Sequence, residues 1–162
     1  MNEKIIYKIN LILIVGSALI LMILVGYSRP LLISPQNELV TTNNSILFSF
    51  EKADFILIDD NSDFTSPEKI YVKDNLIINL RPGTYYWKIG GISESETREL
   101  TINSEVNLKL KEAGEKYEVV NSGNTRLNVE IYDNGFYTGN IILGVDEGAN
   151  VSGTKFLGEQ NE

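Results

Sequence analysis

Leu80–Gly91 reads LRPGTYYWKIGG. Pro82–Gly83 is a turn signal, because proline presets one backbone angle and glycine tolerates the conformations that follow. Beyond it Tyr85, Trp87 and Ile89 fall on one side of an extended chain, and Tyr86 and Lys88 on the other. A period of two with large apolar groups on one side predicts a strand with one face in a core. It assigns Trp87 and Ile89 to that core.

The same period runs upstream. Ile46, Phe48 and Phe50 alternate with Leu47 and Ser49. Asp54–Asp59 (DFILID) carries apolar groups on both faces, which predicts a central strand or one covered by a neighbour. Leu31–Ile33, Ile70–Val72, Leu76–Leu80 and Leu100–Ile102 read as short strands, separated by the polar stretches 35–45, 60–67 and 73–75; within the first, Leu39–Val40 is a further candidate for pairing. No stretch after Pro30 has helical periodicity.

The order of an F-x-F strand, an I-x-I-D strand, a D-F loop, an L-x-P-G turn and a Y-x-W-x-I strand resembles the fibronectin type III and immunoglobulin-like modules of microbial surface proteins. The resemblance covers residues 31–104. It implies a β-sandwich in which a tyrosine bonds back to the preceding turn, with Leu80, Pro82 and Tyr85 forming that corner and Tyr86 as the alternative. Phe64–Pro67, Leu80–Gly83 and Leu100–Ile102 also resemble small surface-associated PEGA-type β-modules. Both resemblances imply an all-β, non-catalytic unit.

Residues 105–157 read as a second small β module. Val106, Leu108 and Leu110 alternate, Ala113–Gly114 turns, and Tyr117, Val119 and Asn121 follow. Asn121–Asn124 (NSGN) is a tight turn. Leu127, Val129 and Ile131 alternate before Asp133–Asn134–Gly135 turns the chain again. Ile141–Val145 and Val151–Phe156 are the last strands. The N-S-G-N turn between V-V and L-x-V-x-I resembles half-sandwich modules of archaeal and bacterial surface proteins. A unit this small is marginal alone and is expected to pack on the first or on a partner. Residues 158–162 are expected to be a disordered tail.

Ahead of all this lies Ile9–Ser28, INLILIVGSALILMILVGYS, twenty residues without a charge between Lys8 and Arg29. As a helix it would be about 30 Å long, the thickness of a bilayer's hydrocarbon core. Lys4 and Lys8 precede the run and Arg29 follows it, so the positive-inside rule puts the N-terminus in the cytoplasm and residues 30–162 outside. Residues 1–29 then form a cytoplasmic tip and anchor, and 30–104 the first module. A cleaved signal peptide competes with this reading, although Pro30 is poorly placed for cleavage before Arg29. Archaeal pilins and archaellins also join an apolar helix to a β-domain. Their processing site has a basic residue and a glycine before the run, where this chain has Ile5, Ile6, Tyr7 and Lys8.

The 162 residues carry a net charge of −8. Residues 1–29 contribute +2 through Glu3, Lys4, Lys8 and Arg29, which leaves −10 on residues 30–162. An acidic body lacks the basic face that nucleic acid requires, and it opposes lying flat on anionic lipid. There is no cysteine and no histidine. That removes disulfides, thiolate nucleophiles, Cys/His zinc sites and imidazole bases together, and no cofactor is expected.

Three candidate sites remain. Asp59, Asn61 and Asp63 have the D-x-N-x-D spacing with which calcium loops present oxygens. Phe64 follows where such a loop has glycine, and Ile70 stands where it has its bidentate glutamate, so a solvated turn is the competing reading. Asn43 (N-N-S) and Asn150 (N-V-S) are N-glycosylation sequons, both expected in polar turns. Tyr85, Tyr86 and Trp87 would make a stacking platform for a sugar, in a context that resembles starch- and glycogen-binding β-modules; one core face and one exposed tyrosine is the competing reading.

The expectation is therefore a single-pass protein of the cell membrane, held by residues 9–28. It displays one or two small β-sandwich modules outside the cell and binds or scaffolds a protein, an envelope polymer or a glycan. Its alternatives are a structural component of the envelope or of an archaellum or pilus apparatus, whose single-span stator proteins resemble it in size and layout, and a carbohydrate-binding module.

Overall fold

The computed structural model describes residues 3–27, 29–113 and 116–161. Among them the chain forms one helix and then fourteen strands. The helix, α1 (Glu3–Tyr27), begins before the apolar run and takes in Lys4 and Lys8. Ser28, at the end of the expected span, lies outside the described residues. The segment Lys4–Tyr27 has a mean hydropathy of 2.7, and none of it is buried. It is the one helix among the described residues that is long and apolar enough to cross a membrane. Proline at position 30 cannot continue it.

The first β unit consists of two sheets. β1 (Leu31–Ser34), β3 (Ser45–Glu51) and β6 (Leu76–Asn79) form an antiparallel sheet in the order β1-β3-β6. The other sheet contains β2 (Leu39–Thr41), β4 (Phe55–Asp59), β5 (Glu68–Tyr71), β7 (Gly83–Gly90) and β8 (Arg98–Ile102). Its order is β2-β8-β7-β4-β5, with β2 parallel to β8 and the other pairs antiparallel.

Alternation explains the core. Ile46, Phe48 and Phe50 point inward from β3, and Leu32 joins them from β1. Ile56 and Ile58 of β4 stand opposite Ile89 and Trp87 of β7 in register, and Leu100 and Ile102 complete the layer. These ten side chains form one buried cluster that spans both sheets. Each large one contributes about 1.5–3 kcal/mol on leaving water. The Trp87 ring meets Phe48 across the core edge-on, at a centroid distance of 4.9 Å and 87°. β4, whose two apolar faces predicted a central strand, is paired on both edges. The result is an all-β body compatible with a β-sandwich module.

The second unit has two three-stranded antiparallel sheets. β9 (Leu108–Ala113), β10 (Lys116–Asn121) and β13 (Gly148–Val151) lie in the order β13-β10-β9. β11 (Leu127–Asp133), β12 (Phe136–Leu143) and β14 (Lys155–Gln160) lie in the order β12-β11-β14. Val119, Leu127, Val129 and Leu143 form the core between them. Asn134 and Gly135 both have positive φ, 50° and 87°, and join β11 to β12 as a two-residue hairpin loop. Asparagine and glycine are the residues that such a turn selects. Gly114, expected in the turn after β9, lies outside the described residues.

Two expectations for this unit change. Gly158–Gln160, read as part of a disordered tail, belong to β14 and pair with Leu127–Val129. The outer edge of β11 supplies backbone partners that few apolar side chains in the tail announce; Glu162 lies outside the described residues. Val151–Phe156, read as one strand, is divided between β13 and β14. A side chain at Gly153 would press on Ile131 and the Tyr132 carbonyl, at 2.8 and 3.0 Å, so the chain turns there on a glycine.

Candidate functional site

The turn before β7 brings Leu80, Pro82 and Tyr85 together. The Tyr85 hydroxyl donates to the Arg81 carbonyl at 3.0 Å, Leu80 and Tyr85 both pack on the core, and Pro82 is half-buried. Burial raises the Tyr85 hydroxyl above its ordinary pKa of 10.0. Tyr86 points to the opposite face of the sheet. Trp87 is 0% exposed, and its indole nitrogen is buried without a hydrogen-bond partner. The three rings therefore present no common exposed surface, and a stacking platform built on Trp87 is not formed. The alternation that puts Trp87 and Ile89 inside is what removes it.

The 59–66 loop turns its oxygens on its own backbone. Asp59 is buried at the end of β4, and its carboxylate accepts from the Asn61 and Ser66 amides at 3.3 and 2.9 Å. The Asn61 side-chain oxygen accepts from the Asp63 amide at 2.9 Å. Asp59 is held below its ordinary value of 3.8, first by the Ser66 amide and against the opposing effect of burial. Among the described residues no three Asp or Glu side chains come together as a metal would require.

Asn43 and Asn150 are both exposed. Asn43 lies between β2 and β3, where its side-chain oxygen accepts from the Ser45 amide at 2.9 Å. Asn150 does not lie in a turn. It sits in β13, an edge strand, opposite Glu118 of β10. The preceding turn falls at 144–147, so Gly148–Val151 is free to pair.

Two contacts have no sequence signal. The first ties the β units together. Asn124, in the crossing from β10 to β11, donates its side-chain amide to the carbonyls of Thr42 and Asn103, at 2.6 and 2.8 Å. Its side-chain oxygen accepts from the Glu105 amide at 2.6 Å. The Asn44 amide donates to the Asn124 carbonyl at 2.8 Å. Beside this clasp lies a polar cleft of about 670 Å³, lined by Thr42, Asn79, Arg81, Ser122 and Asp146 among others. NSGN reads as a turn, and nothing in it shows where the Asn124 amide points.

The second contact ties the body to the helix. α1 has no basic residue in its last turn, where a cation would favour the negative end of the helix. Lys52, in the turn between β3 and β4, supplies one. Its ammonium donates to the Tyr27 carbonyl at 2.6 Å and lies 3.7 Å from the centre of the Tyr27 ring.

No protein-family model matches this chain, and no curated protein matches it in sequence.

Proposed function

We propose that this is a single-pass membrane protein that holds its β body outside the cell and acts there by binding or scaffolding, not by catalysis. The observation that carries the reading is α1. A span of mean hydropathy 2.7 with none of its length buried leaves its leucines and isoleucines to lipid. Two lysines, Lys4 and Lys8, before the span against Arg29 alone just after it favour the orientation with residues 30–162 outside.

The strand order supports an immunoglobulin-like or fibronectin type III-like first module. β1, β3 and β6 share one sheet, as strands A, B and E do in such sandwiches, and β4, β7 and β8 share the other, as C, F and G do. The Tyr85–Arg81 bond adds to it. β5 pairs with β4 rather than joining the β1-β3-β6 sheet, which departs from the constant-domain arrangement. A binding role draws support from the outer face of the β1-β3-β6 sheet. There Leu47 and Ile77 stand directly opposite each other, 50% and 66% exposed, with Leu31 and Ile33 exposed on β1. Clustered aliphatics on a sheet surface mark contact sites.

Protease added to intact cells tests the reading. Residues 30–162 should be cut from outside, with no need for lysis. Protection that disappears only on lysis would overturn it, and a lysed-cell control excludes intrinsic resistance of the folded body.

A further inference from the structure

The loops at one end of the first unit form a seat, and we propose that Lys52 clamps the body to α1 so that the Gly91–Ser93 loop rests with Ile92 in the headgroup layer of the bilayer. The inference rests on the reading of α1 as a retained anchor. If α1 spans a bilayer, Tyr27 at its end lies at the lipid–water interface, where tyrosine is at home. Tyr27, Lys52, Asp54, Lys73 and Ile92 line one hollow of about 470 Å³. Whatever depth Tyr27 has, Ile92 is therefore close to it.

Ile92 is 84% exposed, the most exposed large apolar side chain described in the molecule. It projects from a loop that the fold holds in place. The Asp54 amide donates to the Gly90 carbonyl and the Val72 amide to the Asp54 carbonyl, so three neighbouring loops are tied together. A side chain at Gly91 would come within 3.1 Å of the Lys52 carbonyl, so the loop packs directly on the clamp. Exposing an isoleucine to water on a loop held this way forfeits the gain of burying it, and an interface within reach recovers part of that gain.

Charge permits this end to approach lipid. Arg29, Lys52 and Lys73 stand here against Glu51, Asp54 and Asp74, while Glu94 and Glu96 are paired with Lys88 and Arg98. The end is near charge balance, and the negative excess of the body lies elsewhere. The partner is accordingly a phospholipid surface in general, with no requirement for anionic lipid.

The chain has no cysteine, so single labelling sites can be introduced at will. Full-length Ile92→Cys, Phe136→Cys and Ile20→Cys proteins would carry an environment-sensitive fluorophore and be reconstituted into vesicles of phosphatidylcholine, with and without phosphatidylglycerol. Aqueous iodide should quench the probe at position 92 several-fold less than the probe at 136 in pure phosphatidylcholine, where no surface charge repels the anion, and the protection should persist with phosphatidylglycerol present. Adding Lys52→Ala should restore quenching at 92, with native Trp87 emission showing that the fold is intact. Equal quenching at 92 and 136, while the probe at 20 is protected, overturns the seat and leaves the anchor standing. Protection at 92 that survives Lys52→Ala overturns the clamp. A probe at 20 that iodide reaches overturns the anchor itself, and the seat with it.

Discussion

The side-chain amide of Asn44 donates to the main-chain carbonyl of Asn124, and Asn124 returns its own amide to the carbonyl of Thr42, two residues before Asn44. The exchange closes a loop between chain segments 80 residues apart and makes the second unit depend on the first. Asn124→Ala removes three side-chain bonds and strands the Thr42 and Asn103 carbonyls, at a cost of about 2–4 kcal/mol. Urea unfolding of the full chain in detergent should show the second unit leaving first, as a separate transition at lower urea. Asn124→Asp should be worse than alanine, because it aims a carboxylate at two carbonyls.

Tyr85→Phe keeps the ring and removes only the bond to Arg81. The loss should be about 0.5–1 kcal/mol, because the bond is exposed to solvent. Tyr86→Phe, on the other face, should stay within about 0.5 kcal/mol of wild type. The pH dependence has a definite sign. Burial raises Tyr85 above 10.0, so the folded state holds its proton more tightly than the unfolded chain. The stabilisation is complete below pH 10.0 and disappears as the pH rises through the higher folded value. Ultraviolet titration of wild type against Tyr85→Phe should show one phenol ionising late.

Period-two alternation made the β core legible, because along a strand the period and the burial are the same fact. Ile46, Phe48 and Phe50, Ile56 and Ile58, Trp87 and Ile89 all lie on the face that their spacing implies. What stayed hidden depends on backbone pairing or on contact between distant segments. Glu159 and Gln160 are strand residues because β11 offers an unpaired edge, not because their side chains prefer it. Asn150 is an edge-strand residue for the same reason. Asn124 and Lys52 are ordinary polar residues of turns, and only the fold reveals that one binds the two units and the other caps α1.

The 59–66 loop should be set by protons and not by calcium. Asp59 is held below 3.8, chiefly by the Ser66 amide. Its contribution to stability is therefore complete above 3.8 and is lost as the pH falls through the lower folded value. Thermal unfolding of wild type and Asp59→Asn should differ at neutral pH and converge in acid. Millimolar calcium should leave the wild-type melting temperature unchanged, because both Asp59 oxygens already accept backbone amides. A calcium-dependent rise that Asp63→Ala abolishes would reinstate the ion site.

Trp87 separates a core role from a binding role. Its ring fills the space between the sheets against Phe48, with Arg98 5.9 Å from the ring centre on another side. Trp87→Ala should cost about 3–5 kcal/mol. Trp87→Phe should cost much less, because two effects oppose each other. The smaller ring leaves a void, but it also removes an indole N–H that is buried without a partner, a group whose desolvation costs about 1–3 kcal/mol. A sugar-stacking residue would behave differently, since either change would abolish binding and leave stability nearly intact. Denaturation of the two variants, followed by circular dichroism, distinguishes the cases. A large gap between alanine and phenylalanine in stability identifies a core residue, and equal, near-native stabilities would place the ring at the surface.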